Sequence, residues 1–368
     1  MIYLDNGATS FHKPATVKKA VLDAMSHCAN PGRGGYQAAM EASRQVYRCR
    51  ELAGKLFACK PEQVVLTTNC THGLNIAIRT LVKPGSRVVI SGFEHNAVTR
   101  PLHALDAKLT VAGRRLFDWE DTLRDFEKAL GQGVDAAIFT HVSNVFGYCL
   151  PVAEMSALCK QYGVPFVIDA AQSAGSQRVS LEELGADFIA MPGHKGLLGP
   201  QGTGLLLCGR NTEPLLYGGT GNQSISQQMP EDLPERSEAG TVNVPGIAGL
   251  AAGMEYLLRT GVENIGKKEE QLAKQCAKRL QKLGFQVYTG EHQCAVVSFI
   301  PGEDCEDAAS QLARMGIAVR AGLHCAPLAH ESAGTLETGT VRVSFGWNSE
   351  PWQVEKFLQS AKKLQFKK

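Results

Sequence analysis

A single lysine, Lys195, stands beside His194 in the stretch MPGHKGLLGPQGTG (residues 191–204), ahead of Gly196, Gly199, Gly202 and Gly204. Glycines let backbone close around a ligand. A lysine amine drawn out of water loses its proton and becomes a nucleophile toward carbonyl groups; on an ordinary surface turn it would stay a solvated cation. Asp169, closing VPFVID, reads either as the N-cap of a following helix or as a carboxylate held against a cation such as a protonated ring nitrogen in a dry site. Gln172, three residues on, is within reach of a ligand oxygen. Thr71, with the backbone amides of His72 and Gly73 opening the helix HGLNIAIRTLV, reads as an anion cradle or as a plain helix cap. His95 in FEHNA is a satisfied core histidine or a ring that stacks on a flat ligand.

Cys325 keeps loop company in VRAGLHCAPLAH, where Arg320 and His324 favour the thiolate. The other ten of the eleven cysteines are scattered, with no C-x-x-C pair. An odd, dispersed set argues against a disulfide framework or a zinc cage and for reduced thiols that mostly fill core. His324, His330 and Cys325 lack a second ligand cluster, so no metal site is expected. Arg342 lies between valines in TVRVSFG. An interior arginine needs an anion, either a ligand carboxylate in bidentate geometry or a structural partner. There is no G-x-x-x-x-G-K-[ST], and GPQGTG departs from G-x-G-x-x-G and runs into a strand, so nucleotide binding loses ground.

Positioning these residues falls to a series of apolar runs: QVVLTT, SRVVISG, DAAIFTHV, VPFVIDAA, ADFIAM and TGLLLCG, between about residues 60 and 210. Continuous apolar strands separated by helical segments such as PVAEMSALCKQYG predict a mostly parallel α/β sheet covered by helices on both faces. Ligands then sit where the strands end, which is where the residues above occur. After GTVNVPG the texture shifts to long helices near 246–260 and 263–283, then strands, a helix near 304–315 and a closing helix from Pro351. The reading is an N-terminal segment 1–14 at a domain interface, a large domain 15–245 and a smaller C-terminal α+β domain 246–368. Thirty-eight basic against thirty-six acidic side chains in 368 residues leave no charge field for nucleic acid or an anionic membrane. No leader pattern and no long apolar span is seen, so a cytoplasmic protein without a membrane partner is expected.

Together the stretches YLDNGATS, GRGGY (32–36), CTHGLN, EHNA, HVSNVFG, VIDAAQSAG, GHKGLLGPQGTG, EAGTVN, RAGLHCAP and TVRVSFG resemble the class V aminotransferase group of pyridoxal-phosphate enzymes, and within it the cysteine desulfurase and selenocysteine lyase branch. The resemblance implies a fold-type I transferase. Lys195 would carry the cofactor as a Schiff base, Asp169 would hold its ring nitrogen, His95 would stack on the ring and Gln172 would meet its phenolic oxygen. Thr71, His72 and His194 would serve the phosphate, joined by Thr241 from a second subunit of a homodimer. Asn144 would lie near the substrate and Arg342 would clamp its carboxylate. Cys325 matches the sulfur-accepting cysteine, in a setting similar to the Suf-type group. L-cysteine or L-selenocysteine would yield alanine, with sulfur kept as a persulfide on Cys325 for an acceptor protein or small thiol.

The sequence departs from the family pattern at three places. Pro192 stands where a phosphate-binding serine or threonine is usual, CTH stands where many relatives have Thr-Thr-Glu, and APLAHESAGTLETGT between Cys325 and Arg342 is short. The rival readings are an aminotransferase, a carbon–sulfur lyase that eliminates to pyruvate, and a non-catalytic sulfur-relay scaffold.

Overall fold

A computed structural model describes residues 1–32, 34–221 and 224–364; Arg33 of the 32–36 motif lies outside them. Seven strands form the large sheet, in the spatial order Val64–Thr67, Gly204–Cys208, Phe188–Pro192, Phe166–Asp169, Ala136–Thr140, Arg87–Ser91, Lys108–Ala112. Only Gly204–Cys208 runs against its neighbours; the remaining pairings are parallel. The period of two sends alternate side chains to opposite layers. Val88 and Ile90 join the core beneath helices Cys70–Leu81 and Asn96–Ala104, whereas Val89 joins the core beneath helices Gln37–Phe57 and Trp119–Gly131. Both faces are therefore covered, as the unbroken apolar runs required. The edge strand Lys108–Ala112 escaped the sequence reading because Lys108 and Leu109 are exposed, leaving no continuous apolar run.

A second sheet of four antiparallel strands, Arg320–Gly322, Thr340–Ser344, Val296–Ile300 and Gln286–Tyr288, packs with helices Val262–Lys282, Cys305–Arg314 and Pro351–Ala361 around its own core. Leu4 belongs to that core, and Ile2–Tyr3 pairs in parallel with Ile317–Ala318. The stretch IAVRAG breaks into two strands because its first half pairs with the N-terminus and its second with Thr340–Ser344. The short helix Pro327–Ala333, started by Pro327 and stopped by left-handed Gly334, was not foreseen.

The expected boundary at 245/246 falls in the first turn of helix Val244–Thr260. Ile247, Leu250, Met254 and Leu257 join the larger core, and the helix packs on Ala15–His27 and Gln37–Phe57. Its small residues permit this: a Cβ on Gly253 would come within 2.3 Å of the Leu197 carbonyl oxygen. A helix buried on several faces carries little amphipathic signal of the layer it joins.

One buried ion pair ties three parts of the large layer. Arg50 donates to both carboxylate oxygens of Glu238 at 2.9 and 2.6 Å, and Glu238 also accepts from the Leu66 amide at 2.6 Å. Arg50 further donates to the Val64 carbonyl. Removing one member leaves a buried charge without a partner. Arg50→Ala is expected to cost about 3–5 kcal/mol in urea unfolding, and an unchanged midpoint would contradict the role assigned to the pair.

Candidate active site

A cavity enclosing about 600 Å³ of empty space, its mouth included, opens at the ends of the parallel strands. Thr71, His95, Asn144, Asp169, Gln172, His194 and Lys195 all line it, together with Pro192. Sequence neighbours in pairs at most, these residues converge because each follows a strand of one sheet.

Asp169 ends its strand and is buried, its Oδ1 accepting from the Ala171 amide at 2.8 Å and from the Cys70 thiol at 3.4 Å. The two readings of this residue are thus compatible: it caps the next turn and also holds a carboxylate at the cavity wall. Burial lowers the Lys195 pKa below the usual lysine value; Asp169 opposes that shift, while Arg342 adds to it. Backbone packs tightly behind the lysine. A Cβ on Gly196 would lie 2.2 Å from the Ala174 carbonyl oxygen, so no other residue fits there without displacement. His95 accepts the Ala97 amide on Nδ1 at 3.0 Å. That bond assigns the neutral Nε2–H tautomer, and burial lowers the ring pKa, with Asp169 opposing.

At the start of helix Cys70–Leu81 the cradle differs from the sequence reading. Asn69 caps the helix, its Oδ1 accepting the His72 amide at 2.9 Å and its carbonyl the Gly73 amide at 3.3 Å. Those two amides are therefore engaged. The amides of Cys70 and Thr71 have no acceptor among the described residues, beside the Thr71 hydroxyl, so the anion-binding end of the helix lies one step earlier. The His72 ring does not line the cavity. It accepts the Thr68 amide at 3.3 Å and lines a separate cavity that also contains Thr241. Thr241 likewise stands away from Lys195 within one chain.

The N-terminal segment straps the lysine turn. Thr9 and Ser10 hydroxyls donate to the His194 carbonyl at 3.1 and 3.0 Å, and Ser10 also reaches the Lys195 carbonyl at 2.9 Å. The Lys13 ammonium joins at 2.9 Å from the His194 carbonyl, and Thr9 Oγ1 lies 3.0 Å from His194 Nδ1. Burial pushes the His194 ring down to about 4, with Lys195 and Lys13 adding, and pushes Lys13 down to about 8. The motif YLDNGATS contained two of these residues but gave no sign of their target, because the contacts span more than 180 positions.

Arg342 is buried and already partnered: Nη2 donates to Asp5 at 2.7 Å and Nη1 to the Asn144 carbonyl at 2.9 Å, with Nε free of any partner among the described residues. The structure thus shows the ion-pair reading, and Arg342 is not among the residues lining the cavity. Asn144 extends the chain of contacts, its Nδ2 donating to the His324 carbonyl at 2.7 Å. The Cys325 carbonyl accepts the Asn96 amide at 2.8 Å, one residue beyond His95. His324 and Cys325 both adopt left-handed φ angles of 51° and 57°. Two such residues in succession are strained without glycine, and these two bonds hold the turn that presents Cys325. The His324 ring is buried against Thr340 at 3.2 Å and pushed down to about 2 by burial, with Arg342 adding. Neutral, it adds no charge to the thiol. That corrects the expectation that His324 favours the thiolate.

Glu94 was missed by the sequence reading, though a lone acid between apolar SGF and a histidine was a signal. It is fully buried, one oxygen accepting from Ser91 Oγ and from the Thr140 amide at 2.8 Å, the other without a partner among the described residues. Burial pushes its pKa up to about 8, and nearby Asp169 contributes. A carboxyl that binds its proton more tightly when folded makes the folded state lose stability as pH rises from the unfolded value near 4.5 to about 8. Across that window the melting temperature of the natural protein is expected to fall relative to Glu94→Gln; a pH-independent difference would contradict a protonated Glu94.

The donors fit one kind of guest: an amine able to condense with an aldehyde, a buried carboxylate opposite a ring nitrogen, and a helix start with free amides for an anionic group. Comparison with known proteins agrees. A family profile, Aminotransferase class-V, matches residues 2–357. A "Probable cysteine desulfurase" of Pyrococcus abyssi is 33% identical over an alignment spanning 97% of this chain and 92% of that protein. Another of Methanothermobacter thermautotrophicus is 31% identical, over 96% and 92%. A solved cysteine desulfurase from Thermococcus onnurineus superposes with a TM-score of 0.91 at 33% identity, covering 99% of this chain and 94% of that one. Extending over nearly the whole chain, these matches and the geometry of the Lys195 cavity make the protein a member of the class V aminotransferase family.

Proposed function

We propose that the protein is a pyridoxal-phosphate-dependent cysteine desulfurase that removes sulfur from L-cysteine, leaves alanine, and hands the sulfur from Cys325 to an acceptor protein or small thiol. Members of the family use pyridoxal phosphate. The observation that carries the reading is Cys325. Of the eleven cysteines it alone is exposed, and its turn is bonded to the helix that follows His95 and to Asn144 of the cavity wall. An aminotransferase has no use for a thiol there.

When bound, the cofactor supplies an electron sink that acidifies the substrate α-carbon and loosens the β-carbon–sulfur bond. The chain supplies the rest. Lys195, its pKa lowered by burial, holds the cofactor and takes the α-proton on Nζ. Asp169 would face the ring nitrogen, and neutral His95 would offer a flat face and an Nε2–H. Thr71 and the free helix amides take the phosphate, with His194 at their side. Arg342 meets the substrate carboxylate, sharing its guanidinium with Asp5. The Cys325 sulfur attacks the substrate sulfur as the carbon–sulfur bond breaks, so the enzyme keeps a persulfide and the substrate carbon takes up the electron pair.

The active unit of this reading is a homodimer. Thr241 stands apart from its own chain's Lys195 cavity and lines an open groove with Asn30 and Tyr47, near a surface exposing Leu22, Met25, Tyr36 and Met40. A second copy seated on this surface would bring its Thr241 to the phosphate.

Incubation with pyridoxal phosphate, L-cysteine and a reductant should yield alanine rather than pyruvate, with sulfane sulfur on Cys325 by mass spectrometry. Lys195→Ala should lower turnover at least about 10²-fold, the lower end of what a general base contributes. Cys325→Ala should lose persulfide and alanine together while binding the cofactor normally. Undiminished alanine in that variant would move the reading to L-selenocysteine, whose carbon–selenium bond breaks more readily; pyruvate as main product would indicate β-elimination.

Pro192 offers no hydroxyl to the phosphate. Pro192→Ser restores a charge-assisted hydrogen bond worth about 1.5 kcal/mol and is expected to tighten cofactor binding about ten-fold in equilibrium dialysis.

A further inference from the structure

The stretch CTH, where the sequence departs from the family pattern, places a thiol against the carboxylate of the Lys195 cavity wall. Cys70 opens helix Cys70–Leu81, is buried, and lines the cavity with Thr71, Asp169 and Lys195. Its Sγ lies 3.4 Å from Asp169 Oδ1, a distance at which a thiol donates to a carboxylate. Burial and the neighbouring Asp169 hold the thiol pKa well above its usual value, so the sulfur keeps the proton it donates. The Ala171 amide reaches the same oxygen at 2.8 Å. Both bonds fall on Oδ1. Oδ2 has no partner among the described residues although Asp169 is only 2% exposed, and it is the oxygen left for a guest in the cavity.

Two donors on one oxygen do two things. They fix the rotation of the carboxylate, since Oδ1 cannot swing away without stranding a buried amide. The thiol also sets the positive end of its dipole against the carboxylate, which weakens the field that Asp169 casts on Lys195. That field matters because Asp169 is the main charge opposing the loss of the Lys195 proton.

We infer that Cys70 is a positioning residue of the proposed reaction, acting through Asp169: its thiol fixes the carboxylate so that Oδ2 is turned to the cofactor ring nitrogen, and screens the charge that reaches Lys195. The inference rests on the pyridoxal-phosphate reading above. Without the thiol, Lys195 meets the unscreened carboxylate and its nitrogen keeps a proton to higher pH. Other titratable or charged groups bear on the same two residues: Arg342 and Arg320 from the smaller sheet, Glu94 and His95 after strand Arg87–Ser91, and His194 beside the lysine. All of them remain in place when only residue 70 is changed.

The test is a spectrophotometric pH titration of the full-length holoprotein. With pyridoxal phosphate held on Lys195, the long-wavelength band of the cofactor follows the proton on the lysine nitrogen. In Cys70→Ala, and in Cys70→Val, which fills the space without a donor, the midpoint is expected to rise by at least about 0.5 pH unit, the order of one lost hydrogen bond. Cys70→Ser keeps a donor on the same Cβ and should return the midpoint to the natural value or below it. A filler of space alone would leave Cys70→Val unshifted. An unchanged midpoint in Cys70→Val, or a rise in Cys70→Ser equal to that in Cys70→Ala, overturns the role of Cys70 while leaving the cofactor reading intact. Absence of the band from the natural protein overturns the cofactor reading and this inference with it.

Discussion

Holding a lysine amine and a carboxylate in one water-poor cavity is the constraint on which the remainder of this structure rests. Lys195 loses hydration there, and Asp169 is the principal charge that offsets its burial. Such a pair survives only if the backbone that presents it cannot relax away. The glycine contact behind Lys195, the Ala171 amide on Asp169 and the strand ends beneath both supply that rigidity.

The N-terminus completes the arrangement from outside the large layer. It adds a strand to the smaller domain, then crosses back to hold the lysine turn through Thr9, Ser10 and Lys13. On the way Asp5 meets Arg342, whose other nitrogen holds the Asn144 carbonyl, and Asn144 in turn holds the turn of Cys325. Asp5, Arg342, Asn144 and the turn of Cys325 are thereby linked through a chain of direct contacts. The two links through Asn144 are polar and buried, so a displaced member leaves its neighbour unsatisfied at a cost of about 1–3 kcal/mol.

Burial also decides which groups carry charge. Desolvation drives His95, His194, His324 and Glu94 toward their neutral forms.

Much of this was legible in the chain. Unbroken apolar runs dictated a two-sided parallel sheet, since only a strand buried on both faces needs apolar residues at every position, and the polar residues following those runs had to gather at one edge. Lys195, Asp169, His95, Gln172, Thr71, His194 and Asn144 meet there. Local pattern failed where identity depends on distant partners. Helix Val244–Thr260 joins the larger layer because Gly253 and Gly249 let it approach Leu197 and Pro200, and its composition alone names no neighbour. His72 turns to another cavity because Asn69 takes the cap, leaving the Cys70 and Thr71 amides instead. The clasp of residues 9–13 on 194–195 and the Arg342–Asp5 pair join segments far apart along the chain, and periodicity records only what lies within a few turns or strands. Residue types and spacing thus determined the sheet, its ligand edge and the chemistry available there; tertiary packing decided which hydrogen bonds were already spent and which charges were extinguished, because desolvation is a property of the surroundings and not of the sequence position.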